Sequence, residues 1–168
     1  NGLIAFRDKE TQKCGYLNGE YEIVIPPKYE FAESFYGDFA TVGMDNNHKG
    51  IIDRQGNEIV SLDYYYIWSL KDGFYKVKRI NESGDYAWGV VDSKQNIVIP
   101  VEYEQILQFD SNGLSIVKKN GLWGLIDVHN NTVVPFQYKD INILDNGLLL
   151  VEQGEKYGVL DKQGKVVL

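Results

Sequence analysis

The chain has one cysteine, Cys14, so an internal disulfide framework and a cysteine-built metal centre are both excluded. It has one methionine, Met44, and none at its start, and it is expected to begin inside a longer gene product or after processing. No apolar run exceeds about five residues, Leu148–Val151 being typical, so no membrane helix can be built. Positive charge is scarce. Seventeen Lys and Arg face 24 Asp and Glu, and the only basic cluster is Lys76, Lys78 and Arg79. Such a balance suits a phosphate backbone poorly, and no nucleic-acid partner is expected. The two histidines, His48 and His129, stand in different kinds of turn segment with no nucleophile motif near either. No glycine-rich phosphate loop is present, and no cofactor is expected. Apolar residues still make up 43 % of the chain, enough to build a core and too much for a disordered segment.

What the chain has in abundance is repetition. Gly15, Gly50, Gly89, Gly124 and Gly158 are each followed by two larger, mostly apolar residues and then by Asn18, Asp53, Asp92, Asp127 and Asp161. The glycines are 35, 39, 35 and 34 residues apart. After the first four, at one fixed offset, come Pro26, Ser61, Pro100 and Pro135, and then Tyr29, Tyr64, Tyr103 and Tyr138. Short apolar runs close each unit, at 39–42, 74–77, 114–117 and 148–151, and residues 3–6 form a fifth copy. Periodicity of this kind marks a repeat architecture. Phased on the closing run, the chain is a single repeat domain of five units, about 1–26, 38–61, 73–100, 113–135 and 147–168, joined by four Pro/Tyr linkers.

Each unit reads as three short strands, because β-branched and aromatic residues dominate and turn residues mark the joins. The recurrent Asp opens the turn between the second and third strands, where its carboxylate can accept backbone N–H groups, and a Gly or Asn near the turn's end takes positive φ cheaply. One aspartate per unit does not meet calcium's need for several carboxylates. A three-stranded meander is too small to fold alone, so neighbouring units must cover each other. The expectation is all-β: tandem three-stranded meanders in an open twisted solenoid-like array, with a small β-propeller as the alternative. The linkers suit either a turn of helix or an extended crossing. Their residues Tyr29, Ala32 and Phe35, and Tyr138, Ile141 and Leu144, are expected to point into the seam between units.

The pairs Trp88-Gly89 and Trp123-Gly124, with Asp92 and Asp127 three residues beyond, resemble the bacterial WG (also called KWG) repeat. The resemblance covers essentially the whole chain. Tyr157-Gly158 keeps an aromatic, whereas Lys49-Gly50 and Cys14-Gly15 depart from the pattern. It implies an all-β array with a binding role and no activity of its own. The recurrent aromatics are expected to pack into the core, and Cys14 to be buried.

Residues that break the repeat are the better site candidates. Tyr65, Tyr66 and Trp68 stand where other units carry mostly polar residues. The one clear insertion, Arg79 to Ala87, brings Tyr86, and Lys78 and Arg79 lie beside it in sequence. Tyr65, Tyr66, Trp68, Tyr86, Lys78 and Arg79 are the expected ligand-binding residues, either as an exposed patch or packed against the insertion. The expected function is a non-catalytic binding module or scaffold for a protein partner. The alternative is a carbohydrate or cell-envelope ligand bound through the aromatic patch. A flat ring patch favours protein, and a shallow groove with an aromatic platform flanked by Asp or Asn favours sugar. Location and oligomeric state are not fixed by these residues, although an envelope or secreted placement is favoured over a cytoplasmic one.

Overall fold

The computed structural model describes residues 2–70, 73–81 and 83–168. Glu82 in the insertion, Lys71 and Asp72 in the second linker, and Asn1 lie outside the described residues. The rest forms eighteen strands in five small antiparallel sheets, and no sheet closes into a barrel. The first sheet joins β1 (Ile4–Arg7), β2 (Cys14–Leu17) and β3 (Ile23–Tyr29). The second runs β4 (Phe31–Ala32), β5 (Phe39–Gly43), β6 (Lys49–Asp53) and β7 (Glu58–Tyr64). The third contains β8 (Tyr66–Ser69), β9 (Phe74–Ile80), β10 (Tyr86–Asp92) and β11 (Ile97–Tyr103). The fourth holds β12 (Gln105–Ile106), β13 (Leu114–Lys119), β14 (Leu122–Asp127) and β15 (Thr132–Tyr138). The last comprises β16 (Asp140–Ile143), β17 (Leu149–Gln153) and β18 (Lys156–Leu160).

The linkers settle as extended chain. Each forms a short strand, β4, β8, β12 or β16, that opens the next sheet, so the three middle sheets have four strands each. A one- or two-turn helix was the other expectation. It loses because the linker's backbone groups find ladder partners on the closing strand, as in Phe31↔Gly43 and Ala32↔Val42. The insertion is also taken up as strand: β9 extends to Ile80 and β10 begins at Tyr86, leaving a turn tied by Asn81, whose Oδ1 accepts the Ser83 and Asp85 N–H groups.

Glycine and proline in the repeat have one shared cause. Trp123 pairs with Tyr138 and Leu125 with Val134, so Gly124 faces the three residues Pro135, Phe136 and Gln137. The same slip brackets Gly15 and Gly50. This bulge presses the partner strand onto the glycine: a Cβ on Gly124 would sit 2.8 Å from the Val134 carbonyl oxygen. Proline is tolerated in the bulge because that position has left the regular ladder, and Ser61 fills the same place in the second unit.

The recurrent aspartates tie their turns as expected. Asp127 Oδ1 accepts the N–H groups of His129 (2.9 Å) and Asn131 (2.8 Å), while Oδ2 accepts the Asn131 side-chain amide at 2.8 Å. Asp53 with Asn57 and Asp92 with Asn96 repeat the arrangement. In the first unit the polarity is exchanged: the Asn18 amide donates to the Glu22 carboxylate at 2.9 Å. The third residue after the Asp or Asn takes positive φ in all five repeat units: Gly56, Gly164 and Asn130 as chemistry favours, but also Gln95 (φ 67) and Tyr21 (φ 66). In the third unit the expected Asn96 instead donates to Asp92, and Gln95 carries the strain.

By contacts the chain divides into two compact units, residues 1–80 with 90–97, and 81–89 with 98–168. In the first unit a core cluster joins Cys14, Tyr16, Ile25 and Tyr29 to Ala40, Val42 and Ile52, with Ala32 and Phe35 packed on it. In the second, Ile116, Leu125 and Val134 meet Tyr138, Ile141, Leu149, Val151 and Leu160. Both cores lie between consecutive sheets; Tyr29, Ala32 and Phe35, and Tyr138 and Ile141, contribute to them as the spacing predicts, whereas Leu144 is half-buried outside the second cluster. Fully burying one such side chain is worth about 1.5–3 kcal/mol, so the seams hold these small sheets in place. Among the described residues no helix is long and apolar enough to cross a membrane.

Candidate functional site

The aromatic run of the second linker becomes β8. Tyr64 ends β7 buried in the core. The pleat then turns Ile67 inward, opposite the fully buried Val77, and sets Tyr66 and Trp68 outward. Tyr66 lies across from Lys78, and Trp68 across from Lys76. Directly opposed residues share a face, so rings and lysines alternate over this surface. Tyr65 sits in the link, its N–H donating to the Lys78 carbonyl at 2.8 Å. Trp68 is 60 % exposed, Tyr66 40 % and Tyr65 37 %.

Lysine ammonium groups brace the rings. Lys49 Nζ lies 5.7 Å from the centroids of both Phe31 and Tyr65, and 5.9 Å from that of Tyr66. Lys78 Nζ lies 6.0 Å from the Tyr65 ring. Each such contact contributes about 0.5–1 kcal/mol at exposed sites. Lys76 has its pKa drawn below the ordinary lysine value by burial, which disfavours its charged form.

Of the six expected residues, Tyr65, Tyr66, Trp68 and Lys78 come together. Arg79 does not join them: strand alternation sends it to the other face, where its guanidinium lies 5.9 Å from the Tyr64 ring. Tyr86 is 48 % exposed and belongs to the second compact unit. Lys49 and Phe31 were missed. Lys49 occupies the position that carries Trp in other units, and that departure was the available signal. The expectation that the recurrent aromatics pack into the core holds in part: Trp123 packs against the core of the second compact unit. Trp88 and Trp123 are half-buried on interior strands, whereas Tyr157 is 70 % exposed and departs from the expectation. Cys14, at the same position, is buried.

The second compact unit contains a concavity of about 450 Å³ that sequence reasoning did not find. Its walls include Glu102, Tyr103, Lys119, Asn130, Thr132 and Phe136. Burial, with the Glu102 charge adding to it, pushes the Tyr103 phenol up, and its hydroxyl donates to Asn130 Oδ1 at 2.6 Å. Lys119 Nζ pairs with the Glu102 carboxylate at 2.7 Å. The groove escaped notice because its residues come from a linker, a hairpin tip and the Asp-opened turn, and each is ordinary in its own unit. Among the described residues no group of three or more His, Cys, Asp or Glu could hold a metal ion.

Comparison with known proteins places the repeat. The model of the WG containing repeat matches residues 15–47, 50–82, 88–123 and 123–157. No curated protein matches the chain. Among solved structures, a eukaryotic initiation factor shows 13 % identity with a TM-score of 0.46 over 94 % of this chain and 48 % of its own. The extracellular domain of the putative hybrid two component system BT3049 from B. thetaiotaomicron shows 13 % identity and a TM-score of 0.38, over 92 % of this chain and 24 % of its own. The chain thus spans less than half the length of either structure. Four tandem matches, set on the bulged glycines and tied turns described above, show that this chain belongs to the WG containing repeat family.

Proposed function

We propose that the chain is a non-catalytic binding module that recognises a protein partner through the ring-and-lysine surface of β8 and β9. Membership of a repeat family supports a repeat-based binding or scaffold role. The observation that carries the finer reading is that Tyr65, Tyr66 and Trp68 interrupt the repeat, remain more than a third exposed, and are braced by Lys49 and Lys78. Rigid aromatics lose little entropy on binding, and rings with cationic neighbours are the residue types that dominate interface energetics. In a chain of charge −7, this lysine-bearing face selects for an acidic, apolar stretch of a partner.

The exposed Trp68 ring is also the feature that would accept a sugar face. The two readings separate in parallel experiments: a pull-down from the source organism and a glycan array, each repeated with Tyr65, Tyr66 and Trp68 changed to Ala. Loss of a captured protein in the triple variant supports the proposal. Loss of a glycan signal instead transfers the surface to sugar binding. If neither signal changes, the surface is not a site.

A further inference from the structure

We propose that the groove of the second compact unit is a binding site for a neutral saccharide, with Phe136 as its platform and Asn120, Asn130, Thr132 and Glu102 as its polar rim. This inference does not depend on the β8–β9 surface, because every residue it uses lies in the other compact unit.

Size is the first consideration. A volume of about 450 Å³ falls in the range of about 300–1,000 Å³ typical of small-molecule sites. A protein partner needs roughly 800 Å² of surface on each side, which a groove of this size does not offer alone.

Charge is the second. The only cation in the groove, Lys119, is neutralised by Glu102 at 2.7 Å. The neighbouring Glu104 accepts the Gly121 N–H at 2.7 Å and lies 3.9 Å from Lys118. No uncompensated charge is left to select an ionic ligand, and desolvating a charged ligand here would be unfavourable.

The polar inventory is the third. Asn130 uses its Oδ1 to accept the Tyr103 hydroxyl, which orients its amide and leaves the NH₂ to donate. The Thr132 hydroxyl and the Asn120 side-chain amide have no hydrogen-bond partner among the described residues. Glu102 has a carboxylate oxygen beyond the one that holds Lys119. The groove therefore offers both donors and acceptors around an apolar floor of Phe136 and Leu122. Phe136 is half-buried, and its ring is tilted 33° from that of Tyr103 at 6.1 Å between centroids. A pyranose ring matches this pattern, because it presents a face of C–H groups and a rim of hydroxyls that each donate and accept. The backbone supporting the rim is held: Asn120 and Asn130 both lie at positive φ, which asparagine accommodates better than most residues. Asn130 is further fixed by the Asp127 turn, its N–H donating to the Asp127 carbonyl at 3.1 Å.

The test is calorimetric titration of the purified chain with neutral di- to tetrasaccharides of glucan, chitin and mannan type. Phe136→Leu keeps an apolar side chain but removes the flat face, and is expected to weaken binding at least about tenfold. Because Phe136 also packs over Gly124, Thr132→Val is the second variant. It is nearly isosteric on an exposed strand start and is expected to weaken binding about three- to tenfold with unchanged melting temperature. The triple alanine variant of Tyr65, Tyr66 and Trp68 should bind the saccharide as the parent does. The proposal is overturned if no neutral saccharide binds up to roughly 10 mM, if an acidic or basic sugar binds better than every neutral one, or if Thr132→Val and Phe136→Leu leave the affinity unchanged.

Discussion

Five glycines at one repeat position allow a graded test of the bulge within a single molecule. Replacing each with Ala places a Cβ against the carbonyl oxygen of the opposed strand. The approach would be 2.5 Å at Gly15, 2.6 Å at Gly50 and at Gly89, and 2.8 Å at Gly124, but 3.3 Å at Gly158. Distances below 3.0 Å to backbone cannot be relieved by a side-chain rotation, so the bulged strand itself must move. Overpacking of that kind costs about 1–3 kcal/mol. Against it stands the smaller conformational freedom of Ala in the unfolded chain, worth about 0.4–1 kcal/mol where the native φ suits alanine. None of the five glycines lies in the left-handed region, so this gain applies at each. Gly50→Ala and Gly124→Ala should therefore lose about 1–2 kcal/mol net. Gly158→Ala should lie within about 0.5 kcal/mol of the parent, because its opposed residue is Leu168 and little surrounds that segment to resist a small shift. Urea unfolding followed by far-ultraviolet circular dichroism measures each difference, and unchanged slopes would show that the unfolding unit is the same. The reasoning is refuted if Gly158→Ala costs as much as Gly50→Ala, or if Gly50→Ala is neutral.

Other expectations follow from individual side chains. Tyr29 is fully buried, and its hydroxyl has no partner among the described residues, because Gly56 stands where Asn130 serves Tyr103. Tyr29→Phe should be neutral or stabilising, whereas Tyr103→Phe should cost about 1 kcal/mol in the same denaturation assay, and equal losses would contradict this. Tyr21 and Gln95 hold positive φ without being Gly or Asn, so Tyr21→Gly and Gln95→Gly should each raise stability by about 1 kcal/mol, read as a higher melting temperature. Asn18→Asp alone sets a carboxylate against Glu22 and should destabilise, while adding Glu22→Asn restores the pair used in other units, which a double-mutant cycle detects as positive coupling. The turn aspartates also predict an acid limb. In Asp92 and Asp127 the Asn96 and Asn131 side-chain amides hold the carboxyl below its ordinary value, and in Asp53 partial burial opposes this but the Asn57 hydrogen bonds outweigh it. Since the folded pKa is the lower one, the unfolded chain binds more protons in acid. The contribution is present above about pH 4 and is lost as pH falls through the folded value, and Asn131→Ala should shrink that loss in melting curves taken down to about pH 2.

The repeat, the strand content, the tied turns and most seam positions were legible in the sequence, because each depends on local chemistry recurring at fixed offsets. Asp127 reaches only the turn it opens, and Tyr138 and Ile141 enter the seam because linker spacing carries them there. The aromatic surface was legible for a related reason: Tyr65, Tyr66 and Trp68 depart from a pattern the other units keep. What the sequence could not supply was anything set by pairing between distant segments. Glycine and proline are visible as a recurring pair, but that they are two sides of one bulge depends on the register of β14 against β15. Lys49 among three rings, Arg79 on the opposite face, and the groove formed around Tyr103 and Phe136 likewise follow from register and packing across strands. Repetition fixed what each unit is made of, and the side chains that differ between units acquired their neighbours only when the sheets came together.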